Sequence, residues 1–154
     1  MDFNNIRRNY QKSKINFNHL NKNPIVFFLK WLDEALKIDK EEANACVLST
    51  ISSDNKPSSR VVLLKEIRDN RFVFYTNYNS NKALDIANNN SVALNFYWPE
   101  LERQVRIKGI AQKISAKDSE KYFNTRPRNS KLAVWISNQS SEIEMNFNAE
   151  DSIN

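Results

Sequence analysis

A short stretch near the end of the chain, KYFNTRPRNS at residues 121–130, combines side chains that suit an anion. Tyr122, Arg126 and Ser130 supply a phenol, a guanidinium and a hydroxyl. Such groups donate hydrogen bonds to anionic oxygens, and a helix N-terminus adds its own amide donors. We expect Ser130 to cap the last helix, so that the three groups converge. The stretch therefore predicts a phosphate site, only slightly favoured over an ordinary surface helix–loop–helix.

A second signal lies in NSNKALDI at residues 79–86, where Lys82 falls in the first turn of a predicted helix. A lysine there opposes the helix dipole, which favours negative charge at a helix N-terminus. The mismatch is resolved if an anion binds at that end of the helix. An indifferent surface lysine is the common alternative. Gln139 and Ser140, at the end of the last helix, offer a further polar pair.

Two predicted strands carry charged residues next to apolar ones. In SRVVLLKE, side chains alternate between two faces of the strand. One face holds Arg60, Val62 and Leu64, and the other holds Val61, Leu63 and Lys65. In LERQVRIKG, one face holds Gln104, Arg106 and Lys108. For SRVVLLKE, charged strand ends that favour solubility are the preferred interpretation of the pattern alone. For LERQVRIKG, the spacing does not decide between a ligand-contacting face and a solvated one.

The elements that must position these residues are predicted from periodicity and turn residues. Asn23 and Pro24 open a helix over NPIVFFLKWLDEALKI, with an apolar stripe facing the core. Three strands, a short helix over SNKALDIANN, and two strands reaching Ile114 follow. Two helices end the series, the first opened by Ser115 and stopping before Pro127. This order predicts a mostly β fold, an antiparallel sheet curled into a small barrel with flanking helices.

Composition sets limits on the class of protein. The 154 residues suit one domain, which we place at residues 23–143, between a mobile arm at 1–22 and a polar tail at 144–154. A net charge of +5 admits an anionic partner, but without like-charge runs it does not favour nucleic acid. One cysteine, Cys46, excludes a disulfide framework, and one glycine, Gly109, excludes glycine-rich phosphate loops. We see no signal peptide or membrane span and expect a cytoplasmic protein.

Six motifs occur in a fixed order: RVVLLK, FYTN, NKA, LERQVRIKG, KYFNTRPRNS and WISNQSS. Together they resemble the pyridoxamine 5′-phosphate oxidase family, over residues 6–143. The resemblance implies a homodimeric, antiparallel split β-barrel with FMN at the subunit interface. It also implies oxidation of pyridoxine or pyridoxamine 5′-phosphate to pyridoxal 5′-phosphate, with hydride passing to the flavin and oxygen as final acceptor. The flavin would perform the redox chemistry, so no catalytic side chain is assigned.

The resemblance also implies roles for individual residues. The residues expected to bind FMN are Arg60, Val61, Val62, Leu63, Leu64, Tyr75, Thr76, Lys82, Gln104, Gln139 and Ser140. Those expected to bind the substrate are Lys65, Tyr122, Arg126 and Ser130, with Arg7, Arg8 and Tyr10 of the N-terminal arm covering it.

The chain departs from the family pattern at two places. Asn81 stands where the family usually has an arginine, which removes one contact to the flavin phosphate, worth about 1.5–3 kcal/mol. Family members also continue with a Trp-Gly-Gly strand and an Arg-x-His-Asp-Arg segment, which have no counterpart here. We therefore expect impaired catalysis, and a non-catalytic binder of FMN or pyridoxal phosphate is the alternative.

A third hypothesis is a basic barrel that binds nucleic acid. Strand aromatics would then form a stacking platform. They are Phe72, Phe74, Tyr75, Phe96, Tyr97 and Trp98. Aromatic residues in strands more often belong to a core, and this hypothesis explains none of the six motifs.

Overall fold

A computed structural model describes residues 1–12, 15 and 21–136 of the chain. The elements are α1 (Pro24–Ile38), β1 (Ala45–Ile51), β2 (Pro57–Leu63), β3 (Glu66–Arg68), β4 (Arg71–Val73), α2 (Asn81–Asn88), β5 (Ser91–Trp98), a 3₁₀ turn (Pro99–Leu101), β6 (Arg103–Ile110), α3 (Ala116–Thr125) and α4 (Arg128–Ile136).

Four strands form one antiparallel sheet in the order β2-β1-β5-β6, and β3 and β4 form a separate ribbon. An antiparallel sheet with flanking helices is therefore confirmed, although the described strands do not close into a barrel. The predicted strand SRVVLLKEI is wrong in one respect, because it divides at Leu64 and Lys65. The Leu64 amide bonds to the Asn44 carbonyl, whereas the Lys65 amide bonds to the Val73 carbonyl, so the chain changes partner strand there.

The core lies between α1 and one face of the sheet. Asn23 caps α1 by accepting a hydrogen bond from the Ile25 amide, as predicted. Phe28 of α1 packs edge-on against Phe96, with ring centroids 4.9 Å apart, and also contacts Trp98. Phe96 and Trp98 are buried, so these two aromatic residues belong to the core and offer no surface for stacking bases.

Asparagine takes over the turn positions that glycine often occupies. Asn55 and Asn70 have φ of 60° and 59°, in the turns after β1 and β3. Asn tolerates this left-handed region better than most residues. Gly109, by contrast, lies within β6 and has no positive φ.

The C-terminal helices differ in detail from the prediction. Ser115 caps α3 as expected, accepting from the Asp118 amide. Ser130, however, is not a cap: α4 begins at Arg128, and the Pro127 carbonyl already accepts from the Lys131 amide. Strand β6 ends at Ile110 rather than extending to Ile114, because its partner β5 begins opposite that residue, at Ser91.

Candidate functional site

An open groove of about 1760 Å³ runs beside β2, the β3–β4 ribbon, α2 and α3. Ligand pockets usually measure about 300–1,000 Å³, so one small molecule would not fill it. Half of the predicted site residues line it, namely Val61, Val62, Leu63, Lys65, Tyr75, Thr76, Lys82, Tyr122 and Arg126. The sequence motifs thus converge on one place in the fold.

One end of the groove holds a buried lysine. Lys82 lies in the first turn of α2 and is only 9% exposed. Burial lowers the pKa of Lys82, and the nearby positive charge of Arg60 lowers it further. The residue before the helix, Ser80, does not cap it with its side chain and instead donates to the Asn77 carbonyl. A helix start with a partly desolvated cation is a favourable place for an anion.

Arg60 is held beside Lys82 by a network of polar groups. One guanidinium nitrogen, Nη1, donates to Thr50 Oγ1 at 2.7 Å, and the other, Nη2, donates to Ser58 Oγ at 2.8 Å. Asp85 Oδ2 lies 3.7 Å from Nη2 and accepts from Thr50 Oγ1 at 2.6 Å. Arg60 does not itself line the groove, but its orientation is fixed.

Sequence reasoning missed Thr50 and Asp85, although both left a signal. Thr50 shares the buried face of β1 with Cys46 and Leu48 and is 1% exposed, a position where a polar residue needs partners. Asp85 follows Lys82 by one helical turn, so the two side chains share a face of α2.

Two further cations line the groove: Lys65 is exposed and Arg126 is half-buried. Within the described part of the chain neither side chain has a hydrogen bond or ion pair. Tyr122 of α3 stacks on Tyr75, with ring centroids 3.6 Å apart and planes 7° apart. Burial in this contact raises the pKa of Tyr75. Arg68 of the ribbon pairs with Asp118 at 3.3 Å and so also fastens α3 to the ribbon.

Apolar side chains of β2 also line the groove. Val61 and Leu63 project from edge strand β2 and are 66% and 41% exposed. Leu64, which the resemblance also assigned to FMN, is buried in the core and does not line the groove. Alternation along β2 therefore separates the two faces as predicted.

Several predicted residues lie elsewhere in the single chain. Gln104 is exposed on β6 opposite Tyr97, and Ser130 is half-buried on α4 outside the groove lining. Arg7, Arg8 and Tyr10 lie in the N-terminal segment, whose side-chain contacts are described below. Gln139 and Ser140 lie outside the described residues. Their roles stay predictions.

Other kinds of site find little support in the described residues. No group of three His, Cys, Asp or Glu side chains there is arranged to hold a metal ion. None of the helices in that part is both long and apolar enough to cross a bilayer. The Cys46 thiol is buried, which raises its pKa to about 11, so it is a poor nucleophile.

Solved structures define the class of fold. PhzG from Burkholderia lata 383, crystallised with tetrahydrophenazine-1-carboxylic acid, superposes with a TM-score of 0.83 at 23% identity, over 92% of this chain and 72% of that one. A pyridoxamine 5′-phosphate oxidase-related, FMN-binding protein from Nostoc punctiforme gives 0.67 at 15% identity, over 83% and 70%. The chain has the antiparallel split-barrel fold of these proteins.

Sequence comparison gives the family. The family model described as pyridoxamine 5′-phosphate oxidase matches residues 32–149. A pyridoxine/pyridoxamine 5′-phosphate oxidase of Hydrogenovibrio crunogenus is 51% identical over 90% of this chain and 65% of its own. One from Cytophaga hutchinsonii is 46% identical over 96% and 69%. The chain belongs to the pyridoxamine 5′-phosphate oxidase family and spans about two thirds of the length of these relatives.

Proposed function

We propose that the protein carries out the FMN-dependent oxidation of pyridoxine or pyridoxamine 5′-phosphate to pyridoxal 5′-phosphate, with oxygen as acceptor. The observation that carries the proposal is one groove lined both by Lys82, at the start of α2, and by Lys65 and Arg126, which come from other elements. Lys82, beside Arg60, suits the phosphate of a cofactor, and Lys65 with Arg126 suits the phosphate of a substrate. Two separate anion sites along one apolar wall match a pair of phosphorylated ring compounds.

The residues present fit FMN. Lys82 and the start of α2 would hold its phosphate, and Arg60 would add to the positive potential from behind. Val61 and Leu63 would lie along the isoalloxazine ring, with Tyr75 and Thr76 completing the wall. When bound, the flavin supplies a two-electron acceptor, which no side chain of the groove provides.

The chain's own residues would bind and orient the substrate. Lys65 and Arg126 donate to phosphate oxygens, the latter with two parallel donors where the geometry allows. Tyr122 would add its hydroxyl, and its stack on Tyr75 places the phenol ring at a fixed distance from the cofactor wall. Binding through the phosphate holds the reacting ring in place, which is the main contribution a protein makes to such a reaction.

We also propose a cytoplasmic homodimer with FMN at the subunit interface. Gln104, expected to contact the flavin ring, lies outside the groove of its own chain. A second copy that presents Gln104 to this groove would reconcile the two observations. The exposed apolar residues of β2, Val61 and Leu63, support a partner surface on this side of the chain.

An FMN titration followed by flavin fluorescence tests the proposal first. Saturable quenching, and then pyridoxal phosphate formation from pyridoxine phosphate under air, are the expected results. Quenching without turnover would favour the non-catalytic binder. A folded protein that neither quenches flavin fluorescence nor forms product would overturn the proposal.

A further inference from the structure

The N-terminal arm, residues 1–12, is attached to the rest of the molecule at a single place. Within the described part of the chain, every long-range hydrogen bond of the arm ends on the turn between β5 and β6, residues 99–102. Arg8 Nη1 donates to the Pro99 carbonyl at 3.2 Å, and Lys12 Nζ donates to the Glu100 carbonyl at 2.6 Å. The arm is therefore docked rather than extended into solvent.

Glu102 is the centre of this attachment. One carboxylate oxygen, Oε2, accepts from the backbone amides of Gln11 and Lys12 at 2.7 and 2.8 Å. The other oxygen, Oε1, lies 3.6 Å from Arg8 Nε. Consecutive amides pointing at one anion form a recurrent anion-binding arrangement, which here binds a carboxylate of the same chain. The bonds are charge-assisted, the stronger kind of hydrogen bond.

The backbone of Glu102 is held in an unusual conformation to make these bonds. Its φ of 55° and ψ of 38° lie in the left-handed region, which a residue with a long side chain seldom adopts. Its amide closes the 3₁₀ turn on the Pro99 carbonyl. The side chain is only 7% exposed although it lies under an arm whose residues are all exposed. Such strain persists where surrounding contacts fix it, and it often marks a functional position.

The turn that anchors the arm leads directly into the strand that carries a predicted site residue. Gln104 follows Glu102 by two residues and is exposed on β6. The arm itself carries Arg7, Arg8 and Tyr10, which the resemblance assigns to the substrate.

We propose that Glu102 is a positioning residue, which clamps the arm through the Gln11 and Lys12 amides and thereby presents arm side chains to the substrate beside the flavin that Gln104 is expected to contact. The delivery of the arm to the substrate rests on the proposed function. The clamp itself does not, and it is measured independently.

A nitroxide label on Asn5→Cys reads the arm directly. Cys46 is buried with a raised pKa, so the new thiol is labelled selectively. We expect slow motion of the nitroxide when Glu102 is intact and fast motion when Glu102→Gln is added, because this substitution keeps the side-chain shape and removes the charge. Glu100→Gln is the matched control, because that side chain is exposed and touches only the Lys12 ammonium. Its label should stay slow.

The second readout is the dissociation constant for pyridoxal 5′-phosphate with FMN present. We expect Glu102→Gln to raise this constant by about tenfold, because one charge-assisted bond is lost, and to leave FMN affinity unchanged. If that variant fails to fold, Arg8→Met on the exposed arm replaces it and should loosen the label partly.

Each outcome decides the proposal. A slow label in Glu102→Gln would overturn the clamp. A fast label with unchanged pyridoxal phosphate affinity would overturn the positioning role. A native protein that binds no pyridoxal phosphate would overturn the proposed function and with it the delivery role, whereas the label would still decide whether Glu102 docks the arm.

Discussion

The two cationic parts of the groove, Lys82 beside Arg60 and Lys65 with Arg126, are built differently. At one end Lys82 is nearly buried, and Arg60 beside it is fixed by Thr50, Ser58 and Asp85. At the other end, in the described part of the chain, Lys65 and Arg126 carry no side-chain hydrogen bond or ion pair. One end is ordered before any ligand arrives, and the other leaves its cations to be ordered by the ligand.

This difference suits the two ligands that we propose. A resident cofactor gains from donors that are already oriented, because little side-chain entropy is lost on binding. A substrate that must leave after each turnover is better served by cations that are less buried and not fixed by other side chains, because these bind phosphate more weakly. Burial and the nearby Arg60 disfavour the charged form of Lys82, and its lowered pKa reflects both.

The largest effect is expected from Lys82→Met. It removes the buried cation at the start of α2, and loss of a charge-assisted contact predicts FMN binding weaker by about 10- to 150-fold. Fluorescence titration measures the dissociation constant of FMN.

The control is Lys30→Met, at an exposed position of α1. It should leave the dissociation constant of FMN unchanged. If Lys82→Met binds FMN as well as this control does, the buried end is not a phosphate site, and the contrast between the two ends loses its functional meaning.

Much of this contrast was predictable from sequence. Alternation in SRVVLLKE predicted the two faces of β2. The position of Lys82 in the first turn of a helix predicted that its positive charge is disfavoured there, and its pKa is indeed lowered. Those inferences rest on local periodicity, which a single chain carries in its sequence. Asn23 and Ser115 likewise fixed two helix starts through local capping bonds.

The features that could not be predicted from the sequence depend mainly on long-range contacts. The pairing of Arg60 with Asp85 joins β2 to α2, and nothing local predicts it. The clamp by Glu102 joins residues some ninety positions apart, and the left-handed backbone of that glutamate leaves no composition signal. The start of α4 at Arg128 was missed because Ser130 is an attractive cap, but the carbonyl of Pro127 already serves the first turn.

The part of the groove that Lys65 and Arg126 line is tested by Arg126→Lys. It keeps the charge and removes the planar pair of donors, so we predict a KM for pyridoxine phosphate about tenfold higher, with the dissociation constant of FMN unchanged. Steady-state kinetics beside a flavin titration separate the two constants. The matched variant is Arg128→Lys, a neighbouring exposed arginine outside the groove lining, which should leave both as they are. If Arg126→Lys weakens the binding of FMN and of substrate equally, Lys82 and Arg126 do not belong to separate phosphate sites.

The smallest effect is the pH dependence of FMN binding, which follows from the lowered pKa of Lys82. A bound phosphate favours the protonated lysine, so the bound state has the higher pKa. FMN affinity should therefore be constant near neutral pH and fall as the pH rises through the lysine pKa of the unliganded protein, below the ordinary value of 10.5.

Stability without FMN should change the other way. The unfolded chain, with the higher lysine pKa, holds more protons in this window, so the free energy of unfolding rises with pH. Titrations from neutral pH to about pH 10 on the native chain and on Lys82→Met separate the lysine from the flavin's own ionisation. A native chain whose FMN affinity follows the same pH curve as Lys82→Met would show that the buried lysine does not face the phosphate. The positive potential at the start of α2 would then come from Arg60 and the helix start alone.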